Sequence, residues 1–276
     1  MSVIAIGLAL IAAVLHASWN AFLRTGADRL WSITVMSLAG SVIALPFLFY
    51  FPLPDLAAWP YIVLSASLQV GYSLFLVAAY RHGELGQVYP IVRGSVPLLV
   101  TLGGFLFFHE VLGPYQTLGV ALVAAGIMSL SLGKTRAATS SLLFALATGF
   151  IIACYSTVDS KGVKLVGQPV AYAMWVLFLF GVMICVTYGV LRRGLLIDFR
   201  ASVTWKAFAG GVVAMMAYGL VVVAYSFAPA GLVTAVRETS VVFAVLIGAA
   251  FLGEPLTIKR VAACLTVAAG AICVSL

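Results

Sequence analysis

The sequence predicts an all-α polytopic membrane protein, with ten transmembrane helices in two inverted five-helix repeats. Three observations predict it. Hydrophobic residues make up 64% of the 276 and charged residues only 8%, against about 45–50% and about 25% in a soluble domain. A soluble fold of this length must cover its surface with polar groups, and 15 Lys and Arg with 8 Asp and Glu cannot do so. Apolar runs of about 20 residues, the length a hydrocarbon core about 30 Å thick requires of a helix, recur along the whole chain. The second half of the chain also repeats the first. Composition alone therefore excludes a soluble enzyme, a nucleic-acid binder and a disordered chain.

Breaks at polar, Pro and Gly clusters divide the chain into ten runs, near 2–23, 31–51, 60–80, 87–108, 115–132, 139–159, 170–191, 205–226, 231–252 and 257–275. The first starts at once, with no basic segment before it. It leads into His16-Ala-Ser-Trp19-Asn20 rather than a small-residue cleavage site, so it reads as a spanning helix and not a secretory signal. Span 4 carries Pro90 and Pro97 around Arg93. Each proline removes a donor and clashes with the carbonyl four residues back, so this helix is expected to bend. Spans 5 and 10 are rich in Gly and Ala and permit close backbone approach; they read as structural packing or as the surface of a homodimer. The longest connection, Arg192 to Val203, has no domain-like composition. Function must come from the helices.

The segment from Arg93 through Glu110 to Gly126 (RGSVPLLVTLGGFLFFHE…AAGI) matches Arg237 through Glu254 to Gly270 (RETSVVFAVLIGAAFLGE…AAGA) at a constant offset of 144. Two units are implied, 1–133 and 138–276. Five is odd, so the second unit enters the membrane upside down relative to the first, a plan with its site at the repeat interface in many secondary transporters. A duplication that only enlarged a scaffold is the alternative. At these residues the chain resembles the EamA family of the drug/metabolite transporter superfamily. The resemblance rests on the duplicated helix ending in Glu before a short turn (Phe108-His109-Glu110 and Leu252-Gly253-Glu254-Pro255) and the Gly-punctuated helix after it. The first half has Arg93-x-x-x-Pro97; the second has Arg237 but Val241 in place of the proline. The resemblance implies an inner-membrane, multi-pass exporter or exchanger of amino acids and other small metabolites.

Loop charge and the resemblance disagree on orientation. Eleven loop Lys and Arg residues, from Arg24 and Arg29 to Lys259 and Arg260, fall on one side, with Lys161 and Lys164 on the other. That count puts both termini outside the cytoplasm; the resemblance implies cytosolic termini. The net charge of +7 belongs to these loops, not to an anionic macromolecular partner.

Charged and polar groups inside the bilayer are expensive and mark candidate sites. Arg93 and Arg237 hold equivalent positions, where a guanidinium could grip a carboxylate or phosphate at two points. The structural alternative is pairing with Glu238 or snorkelling to the interface. His16, Trp19 and Asn20 share a face of span 1, as a helix lining a wet cavity would have it; interhelical packing is the alternative. Gln69 and Tyr72 of span 3, Tyr89 of span 4, Tyr155 of span 6 and Tyr218 of span 8 complete the candidate substrate-binding set. Their polar tips and apolar bodies suit a cavity that grips an amphipathic solute. Trp31, Trp59, Trp175 and Trp205 read as interfacial anchors. Glu238 and Asp159 are the candidates for proton coupling.

The expected function is a secondary transporter of small organic, carboxylate-bearing solutes working by alternating access. An intramembrane scaffold or receptor-like binding protein is the competing reading. Enzyme chemistry is not expected: no HExxH or GxSxG occurs, and a Walker A loop is absent. No filter-like loop points to a channel. No metal or cofactor is expected, because Cys154, Cys185, Cys264 and Cys273 lie in apolar runs without CxxC or Cys/His spacing. The partners expected are the solute and the bilayer, with no nucleic acid.

Overall fold

The computed structural model describes residues 1–24, 28–82, 85–131, 139–252 and 255–276, with backbone alone at 20–24, 80–82, 85–87 and 251–252. Its helices are α1 (Val3–Arg24), α2 (Arg29–Tyr50), α3 (Trp59–His82), α4 (Leu85–Phe108), α5 (Pro114–Ser129), α6 (Thr139–Val166), α7 (Pro169–Arg192), α8 (Ser202–Tyr225), α9 (Ala230–Arg237), α10 (Ser240–Leu252) and α11 (Ile258–Ser275), with a 3₁₀ turn at Leu56–Ala58 before α3. Eight stretches among the described residues are long and apolar enough to cross a membrane, α9 and α10 counting together as one.

Outward-facing side chains are apolar. Leu142, Leu146 and Phe150 on α6 and Val182, Val186 and Val190 on α7 are exposed at spacings of four, the period that keeps a residue on one helix face. In water such stripes would cost free energy; in hydrocarbon they are the favourable surface, and backbone groups satisfied within helices are what a bilayer demands.

The ends of the helices follow local rules. Asp28 caps α2, its carboxylate accepting from the Trp31 N–H at 3.1 Å, and Thr257 caps α11, each satisfying a donor that the first turn leaves orphaned. Helix α6 runs seven residues past the expected end at Asp159. The apolar criterion stopped at the first charge, but Asp159, Ser160, Gly162 and Val163 continue one buried face. Past the membrane-length run, Lys164 Nζ meets Glu110 Oε1 at 3.0 Å.

The most extensive contacts join α3 to α6, α5 to α11, α1 to α8, α2 to α7 and α4 to α6. Glycine seams allow some of these approaches. A Cβ on Gly119 would stand 2.6 Å from the Gly270 carbonyl oxygen, and one on Gly270 would stand 2.8 Å from that of Gly119. The α5–α11 pair is thus backbone against backbone, as small-residue membrane interfaces are. Gly211 of α8 sits in the same way on the Met36 carbonyl of α2.

One expectation fails here. The ninth span, read as a continuous helix over 231–252, is interrupted after Arg237. The Thr239 and Val241 N–H groups bond the carbonyls of Val236 and Glu238, three residues back, at 3.1 Å each. A short i→i+3 turn therefore replaces the α ladder. Sequence alone concealed it because the break contains neither Gly nor Pro.

Replacing Gly119 by Val should force α5 and α11 apart, at about 1–3 kcal/mol of overpacking. Thermal unfolding of the purified protein in detergent should register the loss.

Candidate functional site

The interrupted span carries the chain's charge-bearing core. Arg237 ends α9, Glu238 follows as its cap residue with φ −68° and ψ −10°, and Thr239 Oγ donates to the Val236 carbonyl at 2.7 Å. Residues 230–241 are all buried. Arg237 stands at a helix C-terminus, where the helix dipole favours a cation.

On α4, Arg93 faces this break. Pro97 has no N–H to give the Arg93 carbonyl, and Val241 gives its own to Glu238. Two unlike devices thus interrupt the ladder four residues after each arginine, one proline and one tight turn.

Glu238 joins the two arginines. Its Oε2 lies 3.1 Å from Arg93 Nε and its Oε1 lies 3.1 Å from an Arg237 terminal nitrogen. The Glu238 side chain is fully buried, and those of the arginines are 7% and 8% exposed. One carboxylate therefore serves two guanidiniums, leaving one positive charge in excess. Three guanidinium nitrogens, Nε and Nη2 of Arg93 and Nε of Arg237, are buried without a hydrogen-bond partner, the first of them held only by its ion-pair contact with Glu238. Buried donors of this kind are expensive unless something meets them. The Tyr89 ring lies 5.7 Å from the Arg93 guanidinium carbon, within cation–π range.

A cavity of about 140 Å³ opens beside this triad, walled by α1, α2, α3, α4, α6, α7, α8 and α9. Arg93 and Arg237 both line it, together with His16, Trp19, Gln69, Tyr72, Tyr155 and Tyr218. Eight of the ten expected binding residues thus converge. Tyr89 packs under Arg93 rather than on the wall, and the Asn20 side chain lies outside the described residues. Trp19 Nε1 donates to His16 Nδ1 at 3.1 Å, so that ring nitrogen is an acceptor. The Tyr72 and Tyr155 rings meet edge to face, centroids 6.1 Å apart. Gln69 donates to Ser65 Oγ at 3.2 Å.

The coupling candidates separate. Glu238 belongs to the triad. Asp159, one turn past Tyr155 on α6, is fully buried off the cavity and accepts from the Tyr172 and Tyr218 hydroxyls at 2.9 Å each. Tyr172 reaches it by packing its ring over Gly162. Of the tryptophans read as anchors, Trp59 and Trp175 form an edge-to-face pair, while Trp31 and Trp205 donate to the carbonyls of Leu196 and Phe199. No described residue of α5 or α11 lines the cavity.

Sequence reasoning missed the apolar wall. Met36 and Gly40 of α2, Phe180 of α7 and Met215 of α8 line the cavity, and nothing in their local patterns sets them apart from lipid-facing positions. Gly40 and Gly211, with the hydroxyl residues Thr34, Ser37 and Ser41 spaced along one face of α2, were the available signal.

An apolar-skinned helical protein of this length is a multi-pass membrane protein, and comparison with known proteins gives its family. The family model described as "EamA-like transporter family" matches residues 3–132 and again 139–276. The chain belongs to the EamA-like transporter family. Among curated proteins it is 33% identical over 86 residues to the "Probable 4-amino-4-deoxy-L-arabinose-phosphoundecaprenol flippase subunit ArnF" of Pseudomonas aeruginosa, covering 31% of this chain and 63% of that one. A protein of the same description from Pseudomonas syringae pv. syringae is 32% identical over 81 residues, covering 29% and 56%. The chain thus spans less than two thirds of the length of these relatives. A solved crystal structure superposes with a TM-score of 0.77 over 98% of this chain and 95% of that one, at 17% identity, which is a likeness of fold.

Glu238→Gln should leave both guanidiniums uncompensated. Removing one partner of a buried ion pair costs about 3–5 kcal/mol, so the variant should melt well below wild type in a detergent thermal-shift assay. An unchanged melting temperature would contradict the shared-carboxylate arrangement.

Proposed function

We propose that this membrane transporter is a secondary carrier, an exporter or exchanger, of small organic metabolites bearing a carboxylate or similar anionic group, amino acids among them. The observation that carries the reading is the surplus guanidinium charge at the cavity wall. Arg93 and Arg237 share one carboxylate, and an incoming anion supplies the second. Charge-assisted contacts to a planar guanidinium are strong and directional. The Tyr72, Tyr155 and Tyr218 rings offer the solute's body an apolar surface with polar edges.

Alternating access between halves 1–133 and 138–276, inverted relative to each other, is the proposed mechanism. Helix pairing supports it. With α9 and α10 taken as the ninth span and α11 as the tenth, adding five to each member turns the span 1–span 8 contact into the span 6–span 3 contact. Under the same shift, 2–7, 4–9 and 5–10 return to themselves. A cavity at the axis of such a pairing lies between the halves, where repeat-built carriers place their substrate. The α5–α11 seam, which carries no cavity residue, serves as the closed side of the assembly. No bond-changing reaction is part of this reading. The protein is proposed to lie in the cell inner membrane, with a small solute and the bilayer as its partners and a homodimer as its assembly.

The relatives' name brings a second anionic group, the phosphate of a lipid-linked amino sugar, to the same two guanidiniums. A receptor-like binding protein without transport is the competing class. Counterflow in proteoliposomes separates carrier from receptor. Vesicles loaded with an unlabelled mixture of the twenty amino acids should take up the labelled mixture, whereas a receptor gives no exchange. Uptake unaffected by internal amino acids would refute the exchange reading.

Arg93→Lys keeps the charge and loses the planar fork. Binding of an anionic solute should weaken by about 1–3 kcal/mol, roughly tenfold to a hundredfold, with little change in melting. Wild-type affinity in a folded Arg93→Ala protein would reject Arg93 as a binding residue.

A further inference from the structure

The two buried carboxylates differ in the company they keep. Glu238 is matched by two guanidiniums, and neutralising it would orphan both. Asp159, 0% exposed, takes part in no ion pair among the described residues. Its hydrogen-bond partners are neutral: the hydroxyls of Tyr172 on α7 and Tyr218 on α8, with Ser65 of α3 close by. Tyr225 of α8 stands near. Among the described side chains of the elements packed on α6, Arg93 of α4 and Arg237 of α9 are engaged by Glu238, Arg192 at the end of α7 meets Asp28 and Lys206 lies near the start of α8; on α6 itself Lys161 lies over the Phe108 ring and Lys164 on Glu110.

An ionised carboxylate without a countercharge is costly in a low-dielectric interior, and its usual resolution is to take up a proton. The hydroxyl shell suits either form, because a tyrosine or serine hydroxyl can donate to a carboxylate or turn and accept from a carboxylic acid. Tyr218 also connects this enclosed group to the cavity: its side chain lines the wall while its hydroxyl ends 2.9 Å from Asp159 Oδ2. A buried carboxylate with no ion-pair partner among the described residues, joined to a solute cavity by one hydroxyl, has the layout of a proton site.

We propose that Asp159 is a proton-binding site of this protein, reached from the cavity through the Tyr218 hydroxyl, and that its protonation couples transport to the proton gradient. A hydronium ion in the cavity gives a proton to Tyr218 Oη as the proton already there moves to Asp159 Oδ2. The tyrosine begins and ends neutral, the hydronium becomes water and Asp159 becomes a neutral acid. Release runs in reverse. The site lies apart from the Arg93–Glu238–Arg237 triad, so proton and anionic solute occupy different groups and can be bound together. Only the coupling half of the proposal rests on the carrier reading above.

Infrared difference spectroscopy of the full-length protein in lipid, across a pH step above the range in which exposed carboxylates titrate, tests the proton site without any solute. A carbonyl band of a neutral carboxylic acid should appear in wild type and be lost in Asp159→Asn. In Tyr218→Phe the band should move to higher frequency, having lost a hydrogen bond, and its rise after the step should slow. A wild-type spectrum without the band, a band kept in Asp159→Asn, or an unchanged Tyr218→Phe spectrum overturns the site; the last also decides the matter if Asp159→Asn does not fold. For coupling, uptake of the labelled amino-acid mixture should rise with an imposed pH gradient in wild-type proteoliposomes. It should be equal with and without the gradient in Asp159→Asn, and gradient dependence retained there overturns the coupling role. If wild type takes up none of the mixture, the amino-acid reading fails and the infrared result still decides the proton site.

Discussion

The arrangement turns on one carboxylate shared between two buried guanidiniums. Glu238 holds Arg93 of α4 and Arg237 of α9 at 3.1 Å each, in an interior where an unpaired charge would be far more expensive than in water. This fixes the face that α4 presents to the interrupted span and keeps residues from distant parts of the chain on one wall. It is also incomplete. Charge balance within the triad is one anion short, and the guanidinium donors without hydrogen-bond partners are where that deficit sits. A site that is stable yet unsatisfied is suited to a ligand that comes and goes.

The interruption of the ninth span belongs to the same logic. A continuous helix would place residues 237 and 238 about 100° apart on its surface, whereas the tight turn lets Arg237 reach the carboxylate of its own neighbour while Glu238 also meets α4. In α4 a proline accomplishes the corresponding opening of the ladder beside Arg93, with the helix continuing through it. The missing proline at Val241 therefore does not remove the feature. It is made by a different local geometry.

Away from the charges, the fold divides its work between seams and walls. Glycine against glycine brings α5 and α11 into backbone contact, without a residue for the cavity. The helices α1, α2, α3, α7 and α8 instead meet around open space, where Gly40, Trp19 and the tyrosines set its outline. Tyr218 serves both regions, with its ring on the cavity and its hydroxyl on the enclosed Asp159. The two carboxylates that looked alike as intramembrane acids are separated by this packing into an ion-pair bridge and an acid held by tyrosine hydroxyls.

Composition and periodicity were enough to read an all-helical membrane chain, most helix limits to within a few residues, and Arg93, Arg237, His16, Trp19, Gln69, Tyr72, Tyr155 and Tyr218 as residues of the cavity. Bilayer burial makes this legible, because a polar side chain in an apolar run must face protein or water. Pairing of the arginines with Glu238 stood in the sequence only as one alternative beside solute binding and snorkelling; it could not be chosen there, since Arg93 and Glu238 lie far apart along the chain and meet only through packing. Nor could the sequence reveal the break after Arg237, which has no Gly or Pro to mark it, or the Met36 and Phe180 side of the cavity. An apolar residue reads the same whether it faces lipid or an internal cavity, and only the placement of its helix among the others decides between them.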